Sequence, residues 1–299
     1  MRLIESSVEE YKQAPGLQGV YEQIERCGKT CYKSEPKGGE TAKSFVDRMI
    51  ENGHTAMLEH GTVYLRFPLT RETEFTRQFY INNKYSTCIW KVEQGIKMDE
   101  IVTWVYVTTN YRVIVEGGRE EDLGFICEPT RYHARRITYK IICDRGVSHE
   151  LVRHRSFSFA QESQRYCNYS KDKFGKELTF ISPVKDMTPD EYKVWRHALS
   201  TAEESYFKLI DLGLKPQEAR SVLPNSTKTE LIMTGFETDW DDFFALRVRE
   251  STGPVSPDMK VVANNIYSLI EEERARVFNE LKDQFYGPTG ENTETQGDN

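Results

Sequence analysis

No stretch of this 299-residue chain approaches the roughly 20 consecutive apolar residues that a membrane-crossing helix needs, and the opening Met1-Arg-Leu-Ile-Glu-Ser-Ser7 lacks the apolar core of a secretory leader. A cytoplasmic protein is expected. Cysteine is sparse: six residues, at 27, 31, 88, 127, 143 and 167, with no Cys-x-x-Cys among them. That pattern argues against a disulfide framework or a closed zinc site and for reduced thiols. Cys27 and Cys31, four apart, share a face if their segment is helical, and read as half-buried thiols rather than metal ligands. His149-Glu150 opens like a helical zinc signature, but Arg153 stands where the second histidine belongs and His154 falls one step too far. Gly-x-Gly-x-x-Gly is missing, which leaves a Rossmann dinucleotide site without local support. Gly28-Lys29-Thr30 resembles the end of a phosphate loop, yet Gln23 occupies a position that requires glycine. Positive charge is also in the minority, 40 basic against 47 acidic side chains for a net charge of −7, which counts against a polynucleotide-binding module.

What is present fits a soluble enzyme: 38% apolar, 12% aromatic and 29% charged residues, enough for one large core or two modest ones. Thr41 is placed to cap a helix through Phe45, Val46, Met49 and Ile50 that stops at Gly53. Thr62 to Phe67 reads as a strand ended by Pro68. Residues 101–107 and 111–115 are predicted to form a β-hairpin around Thr108-Thr-Asn110. Ile137 to Cys143 is a further strand, closed by Asp144-Arg-Gly146 and followed by a short helical turn. Thr188-Pro-Asp-Glu191 is a capping box opening a helix whose Tyr192, Trp195, Leu199, Ala202, Tyr206 and Leu209 form one stripe. A last helix is expected from about Asp258 to Tyr286, with residues 287–299 disordered. The chain therefore reads as a single mixed α and β domain over 1–285.

Between Arg153 and Tyr166 the sequence is Arg-His-Arg-Ser-Phe-Ser-Phe-Ala-Gln-Glu-Ser-Gln-Arg-Tyr. In an acidic chain such a cationic cluster is local, and local charge implies a site for phosphate or carboxylate oxygens, which the guanidinium fork fits in pairs. Arg153 and Arg155 cannot point the same way from a regular helix and so engage two ligands or two phosphates. His154 between them is expected to titrate near neutrality and to donate to a ring or phosphate oxygen. Ser163 and Arg165 share a face if their segment is extended. A solvated basic face, ion-paired to Glu150 and Glu162, competes with this reading. The alternation of Phe157 and Phe159 reads as core packing.

Arg153-His-Arg155, seven residues, Ser163, then Gln164-Arg165-Tyr166 resembles the signature of the flavin-dependent thymidylate synthases. Three more segments resemble the same family in the same order. They are Arg26 to Ser34 with its Cys-Tyr-x-Ser element, Gly53-His54 to Glu59-His60, and Ala219-Arg220 to Asn225 followed by Trp240 to Arg247. The resemblance covers about 1–68 and 136–284. It implies an α+β fold with a curved, mostly antiparallel sheet flanked by helices, no Rossmann unit, and a homotetramer with shared active sites. It implies reductive methylation of dUMP to dTMP, with methylenetetrahydrofolate as carbon donor, FAD as hydride carrier and NADPH as reductant. Carried over position by position, His60, Arg153, His154, Arg155, Gln161 and Asp242 contact FAD. Glu150, Gln161, Ser163, Gln164, Arg165, Arg220 and Arg247 contact dUMP. Arg247 and Ser163 stand at the reacting centre, Arg247 stabilising charge on the pyrimidine.

Tyr166 is expected as a supporting wall. Ser163 has arginines and a glutamine for neighbours and no base, so a positioning role is preferred to a nucleophilic one, and no covalent enzyme adduct is expected. Phe236 and Thr238 depart from the Asn and Arg that contact flavin in many members. The stretch 69–135, an insertion relative to compact members, carries Arg71, Arg77, Arg131 and Arg135 beside Trp90 and Trp104, next to Arg136. It is read as a source of replacement contacts, an active-site cover or an oligomer surface. A catalytically inactive relative that keeps the fold is the remaining alternative.

Overall fold

The computed structural model describes residues 1–32, 39–94, 101–165, 167–170, 175 and 177–286. Two short strands, β1 (Arg2–Ile4) and β2 (Ser7–Glu10), lead into helix α1 (Gly16–Tyr32). Helix α2 (Ala42–Glu51) starts where expected, because Thr41 accepts from the Ser44 N–H while Ser44 accepts from the Thr41 N–H. A 3₁₀ turn over Thr55–His60 then enters β3 (Thr62–Pro68). Next come α3 (Glu74–Ile81), β4 (Thr87–Gln94), β5 (Ile101–Asn110) and α4 (Tyr111–Glu116). Strand β6 (Arg136–Asp144) runs directly into α5 (Arg145–Leu151) and then β7 (Ser158–Gln161). The chain closes with β8 (Thr179–Ile181), α6 (Pro189–Asp211), α7 (Pro216–Ala219), β9 (Lys228–Phe236), α8 (Glu237–Arg247) and α9 (Pro257–Tyr286).

The expected mixture of helices with mostly antiparallel strands is borne out, but the strands divide among separate sheets. Four form an antiparallel sheet in the order β2-β6-β9-β7, three form a second in the order β3-β5-β4, and β1 pairs with β8 in parallel. The division follows from the long segment between β3 and β6, which uses its own strands to extend β3 into an independent sheet. Within it the predicted hairpin is wrong. Strand β5 pairs with β4, Thr108 opposite Thr87, while residues 111–116 turn helical. Asn110 decides this locally, its side chain accepting from the Val113 N–H at 3.2 Å as a helix cap, which outweighs the β-branched run.

The four-stranded sheet buries one face under α5, α8 and α9, where Tyr139, Leu231, Met233, Val262, Ala263 and Ile266 are all at most 1% exposed. Its centre is aromatic. Trp240 meets Phe157 edge-on at 4.6 Å and Tyr139 at 5.2 Å. Gly235 makes that possible, since a Cβ there would lie 2.4 Å from the Phe157 ring. Phe157, expected as core, is core. Of the stripe predicted on α6, Leu199 and Tyr206 are buried, whereas Tyr192 is 40% exposed, so that helix lies partly over water. Tyr166 and residues 287–299 lie outside the described residues.

Candidate functional site

The β6–α5 junction positions the first group of side chains. Asp144 ends the strand and caps the helix, accepting from the Val147 N–H at 2.7 Å. The helix lasts two turns and unwinds through hydrogen bonds from the Arg153 N–H to the Glu150 carbonyl and from the His154 N–H to the Leu151 carbonyl. Arg153 and Arg155 are thereby set out into solvent on either side of His154, which turns inward against the Phe243 ring at 4.9 Å. Among the described residues neither arginine has a carboxylate within ion-pair distance.

Helix α8 delivers Arg247 to the same place from almost a hundred residues away. Its Nε donates to His154 Nε2 at 3.0 Å and its Nη1 to Glu150 Oε2 at 3.3 Å. Ser256 Oγ donates to the other Glu150 oxygen at 2.8 Å. Burial first, then the adjacent Arg247 cation, pushes His154 down to about 4. The expectation of a histidine titrating near neutrality is therefore corrected: the ring is neutral at pH 7 and its Nε2 accepts from arginine. Arg247 lines a cavity of about 290 Å³ with Thr252 and Val255, and Glu150 lines another of about 240 Å³ with Trp195 and Asn225.

A second group gathers at the other end of β7. Gln161 Nε2 donates to Ser148 Oγ at 2.9 Å and to Thr229 Oγ1 at 3.2 Å, fixing its amide on the sheet. The chain then turns instead of continuing extended. The Ser163 N–H donates to the Cys31 carbonyl at 3.0 Å, the Cys167 N–H to the Ser163 carbonyl at 3.0 Å, and the Arg165 N–H to Ser163 Oγ at 3.4 Å. Ser163 and Arg165 are thus brought together by a turn, not by a shared strand face. Arg165 is exposed, while Gln164 is 9% exposed with its Nε2 unpartnered among the described residues.

Several participants were not singled out from the sequence. Arg145, treated there as part of a strand-closing turn, is half-buried, and burial with the nearby Arg220 cation lowers its pKa. Two like charges with no carboxylate in ion-pair distance of either, among the described residues, make an electropositive patch beside Gln161 and Ser163. The signal was available: an arginine placed directly after a strand, at the first position of a helix. Beneath lies a buried ionic network in which Lys228 meets Glu162 at 2.9 Å and also pairs with Glu230, while the Tyr169 hydroxyl donates to Glu162 at 3.2 Å. Burial alone would lower the Lys228 pKa, but the two carboxylates raise it overall. Glu162 is therefore engaged by Lys228 and Tyr169, while its charge also acts on Arg145 and partly offsets the effect of burial there.

The remaining expected positions are elsewhere. Asp242 is exposed on α8. His60 is 0% exposed, with Nδ1 in a 2.8 Å hydrogen bond to Thr234 Oγ1, and burial, then Arg136, pushes it down to about 3. The ring is enclosed by protein in this chain, and its Nε2 has no hydrogen-bond partner among the described residues.

Residues 133–273 match the family model described as thymidylate synthase complementing protein. A flavin-dependent thymidylate synthase of Geobacter sulfurreducens is 35% identical over 106 residues, 36% of this chain and 44% of that protein. One from Pyrococcus furiosus is 31% identical over 165 residues, 50% of this chain and 66% of that protein. The chain thus spans between under half and just under two thirds of these relatives. Among solved structures, a UMP/dUMP methylase PolB from Streptomyces cacaoi bound with 5-Br UMP aligns over 91% of this chain and 92% of its own, at a TM-score of 0.43 and 15% identity. The matched segment holds Glu150, His154, Gln161, Ser163, Arg220 and Arg247, and through it this chain is similar to the flavin-dependent thymidylate synthases.

Proposed function

We propose that this protein methylates dUMP to dTMP, with methylenetetrahydrofolate as carbon donor, FAD as redox cofactor and NADPH as reductant, in a cytoplasmic homotetramer whose active sites are shared. The observation that carries the reading is the meeting of Arg247 with His154 and Glu150, which joins two separate sequence motifs into one electropositive centre. The unpaired, solvent-facing Arg153 and Arg155 suit a diphosphate-bearing cofactor such as FAD, because a guanidinium without a carboxylate partner keeps its full donor fork for phosphate. When bound, FAD supplies the hydride chemistry.

This chain's residues hold and polarise. Arg145 and Arg220, with the Ser163 hydroxyl and Arg165, receive the dUMP phosphate, whose charge removes the repulsion between the first two. Gln161, fixed by Ser148 and Thr229, presents its remaining amide oxygen to the nucleotide. Arg247 has Nε and Nη1 committed to His154 and Glu150, which orients the fork and leaves Nη2 to meet negative charge growing on the pyrimidine. A neutral His154 is necessary there, since a cationic ring would repel the guanidinium it steers. Ser163 has no base in hydrogen-bond reach among the described residues, consistent with positioning rather than covalent attack. His60 sits under β9 as a packing group in this reading.

Anaerobic incubation of the protein with dUMP, methylenetetrahydrofolate, FAD and NADPH should yield dTMP, and omission of FAD should abolish it. Ser163→Ala should retain more activity than Arg220→Ala. Product formed without flavin, or none under any combination, defeats the assignment.

A further inference from the structure

A cavity of about 360 Å³ lies between residues 10–16, residues 126–129 of the insertion and the start of β6, and none of Glu150, His154, Gln161, Ser163, Arg220 or Arg247 lines it. Its volume falls within the range of small-molecule sites. Tyr11, Tyr64 and Ile126 supply apolar surface, Gln13 and Thr138 polar groups, and Arg136 a cation.

The charges around it are unequal in one respect. Lys12 pairs with Glu10 at 3.7 Å, and Arg135 pairs with Glu237 at 3.7 Å and Glu273 at 3.8 Å. Arg136 has no carboxylate within ion-pair distance among the described residues. Its Nη1 donates to Thr62 Oγ1 at 3.3 Å and its Nη2 to the Glu59 carbonyl at 3.1 Å, both neutral acceptors, and Phe236 covers it at 5.5 Å. Its Nε is enclosed without any partner. Burial pulls this guanidinium down to about 10, so it keeps its proton at neutral pH. This half-buried guanidinium therefore hydrogen-bonds only to neutral acceptors, with the charges of Glu59 and Asp239 acting on it from beyond ion-pair distance, and an oxyanion entering the cavity would compensate it directly. Elsewhere the same chain satisfies an arginine internally: the more deeply buried Arg119 makes two 2.8 Å bonds to Asp122.

We propose that this cavity is a binding site for the oxyanion, phosphate or carboxylate, of a small ligand, with Arg136 as its counter-ion and the Tyr11 and Tyr64 side against its body. The site depends on the insertion for one wall, and none of the residues assigned above to dUMP or FAD lines it. Thr138 Oγ1 hydrogen-bonds Thr234 Oγ1 at 2.8 Å, which in turn bonds His60, so the cavity floor is tied to the buried histidine beneath β9.

Isothermal titration of the whole protein with inorganic phosphate and, separately, with benzoate tests this. At least one probe should bind in the millimolar range or tighter, phosphate alone pointing to a phosphoryl ligand and tighter benzoate to a ring carboxylate. Arg136→Met should weaken the binding probe at least about tenfold, the loss expected for a charged hydrogen bond. Glu128→Lys, on the exposed rim, should tighten it about threefold through added positive charge. Should Arg136→Met fail to fold, the Glu128→Lys change decides alone. No heat from either probe, or affinities untouched by these substitutions, overturns the site. Loss of probe binding after the protein is loaded with FAD overturns its separateness.

Discussion

The two antiparallel sheets of this protein use arginine in opposite ways. In and around the insertion sheet, Arg119 meets Asp122 at 2.8 Å, Arg77 meets Glu74 at 2.6 Å, Arg66 meets Glu93 at 3.0 Å and Arg112 meets both Glu59 and Glu116. Beside the four-stranded sheet, Arg145, Arg153, Arg155 and Arg220 have no such partner among the described residues, and Arg247 spends two of its donors on a neutral histidine and one carboxylate. What sets this group of arginines apart is that four of its five members lack an internal carboxylate partner among the described residues, not their number.

Removing a paired arginine should be the most damaging to the fold. Arg119→Ala leaves Asp122, 2% exposed and also accepting from Tyr80, as a buried uncompensated charge, and should cost about 3–5 kcal/mol in denaturant unfolding while activity per folded molecule persists. A loss below about 1 kcal/mol would break the contrast. Arg220→Ala should behave oppositely, lowering dTMP formation about a hundredfold or more with the unfolding midpoint unchanged. A matching drop in stability would mean that Arg220 is structural after all.

Acid should single out the motif-bearing half. His154 and His60 are held near 4 and 3 in the fold against an ordinary 6.5, so the unfolded chain takes up protons first as pH falls. Their contribution is complete above about pH 6.5 and declines as pH drops below that toward 4, by up to about 1.4 kcal/mol per pH unit for each proton taken up. Unfolding midpoints of wild type and His154→Gln at pH 7 and pH 5 check this. The variant should lose less on acidification, and an equal loss would remove His154 from the account. The smallest effect belongs to the insertion surface. Val92→Lys, at a side chain 67% exposed on edge strand β4, should shift stability by less than about 0.5 kcal/mol.

Local signals served the sequence reading well where one residue decides the outcome. Thr41 and Thr188 capped helices as expected because a hydroxyl answering an N–H three residues on is a short-range event. Residues 111–116 misled for the complementary reason: their apolar, β-branched composition suits a strand, and the single Asn110 cap tipped them into a helix. The Arg153 to Arg165 cluster was legible as charge in an acidic chain, but not the state of its histidine, which depends on burial by Phe243 and on Arg247 brought from far along the chain. Arg145 was passed over although its place directly after a strand was readable, because its closeness to Arg220, far along the chain, is set only by the fold.

The aromatic lattice beneath β9 equips the molecule with an optical sensor. Trp240 is wholly enclosed, while Trp90 on the insertion is 51% exposed, so the two indoles should emit at different wavelengths and quench differently with soluble iodide. Because Trp240 shares α8 with Arg247 and touches Phe157 next to the arginine-rich turn, ligand arrival should perturb its emission, read in a variant with Trp104 and Trp195 replaced by Phe, and leave that of Trp90 steady.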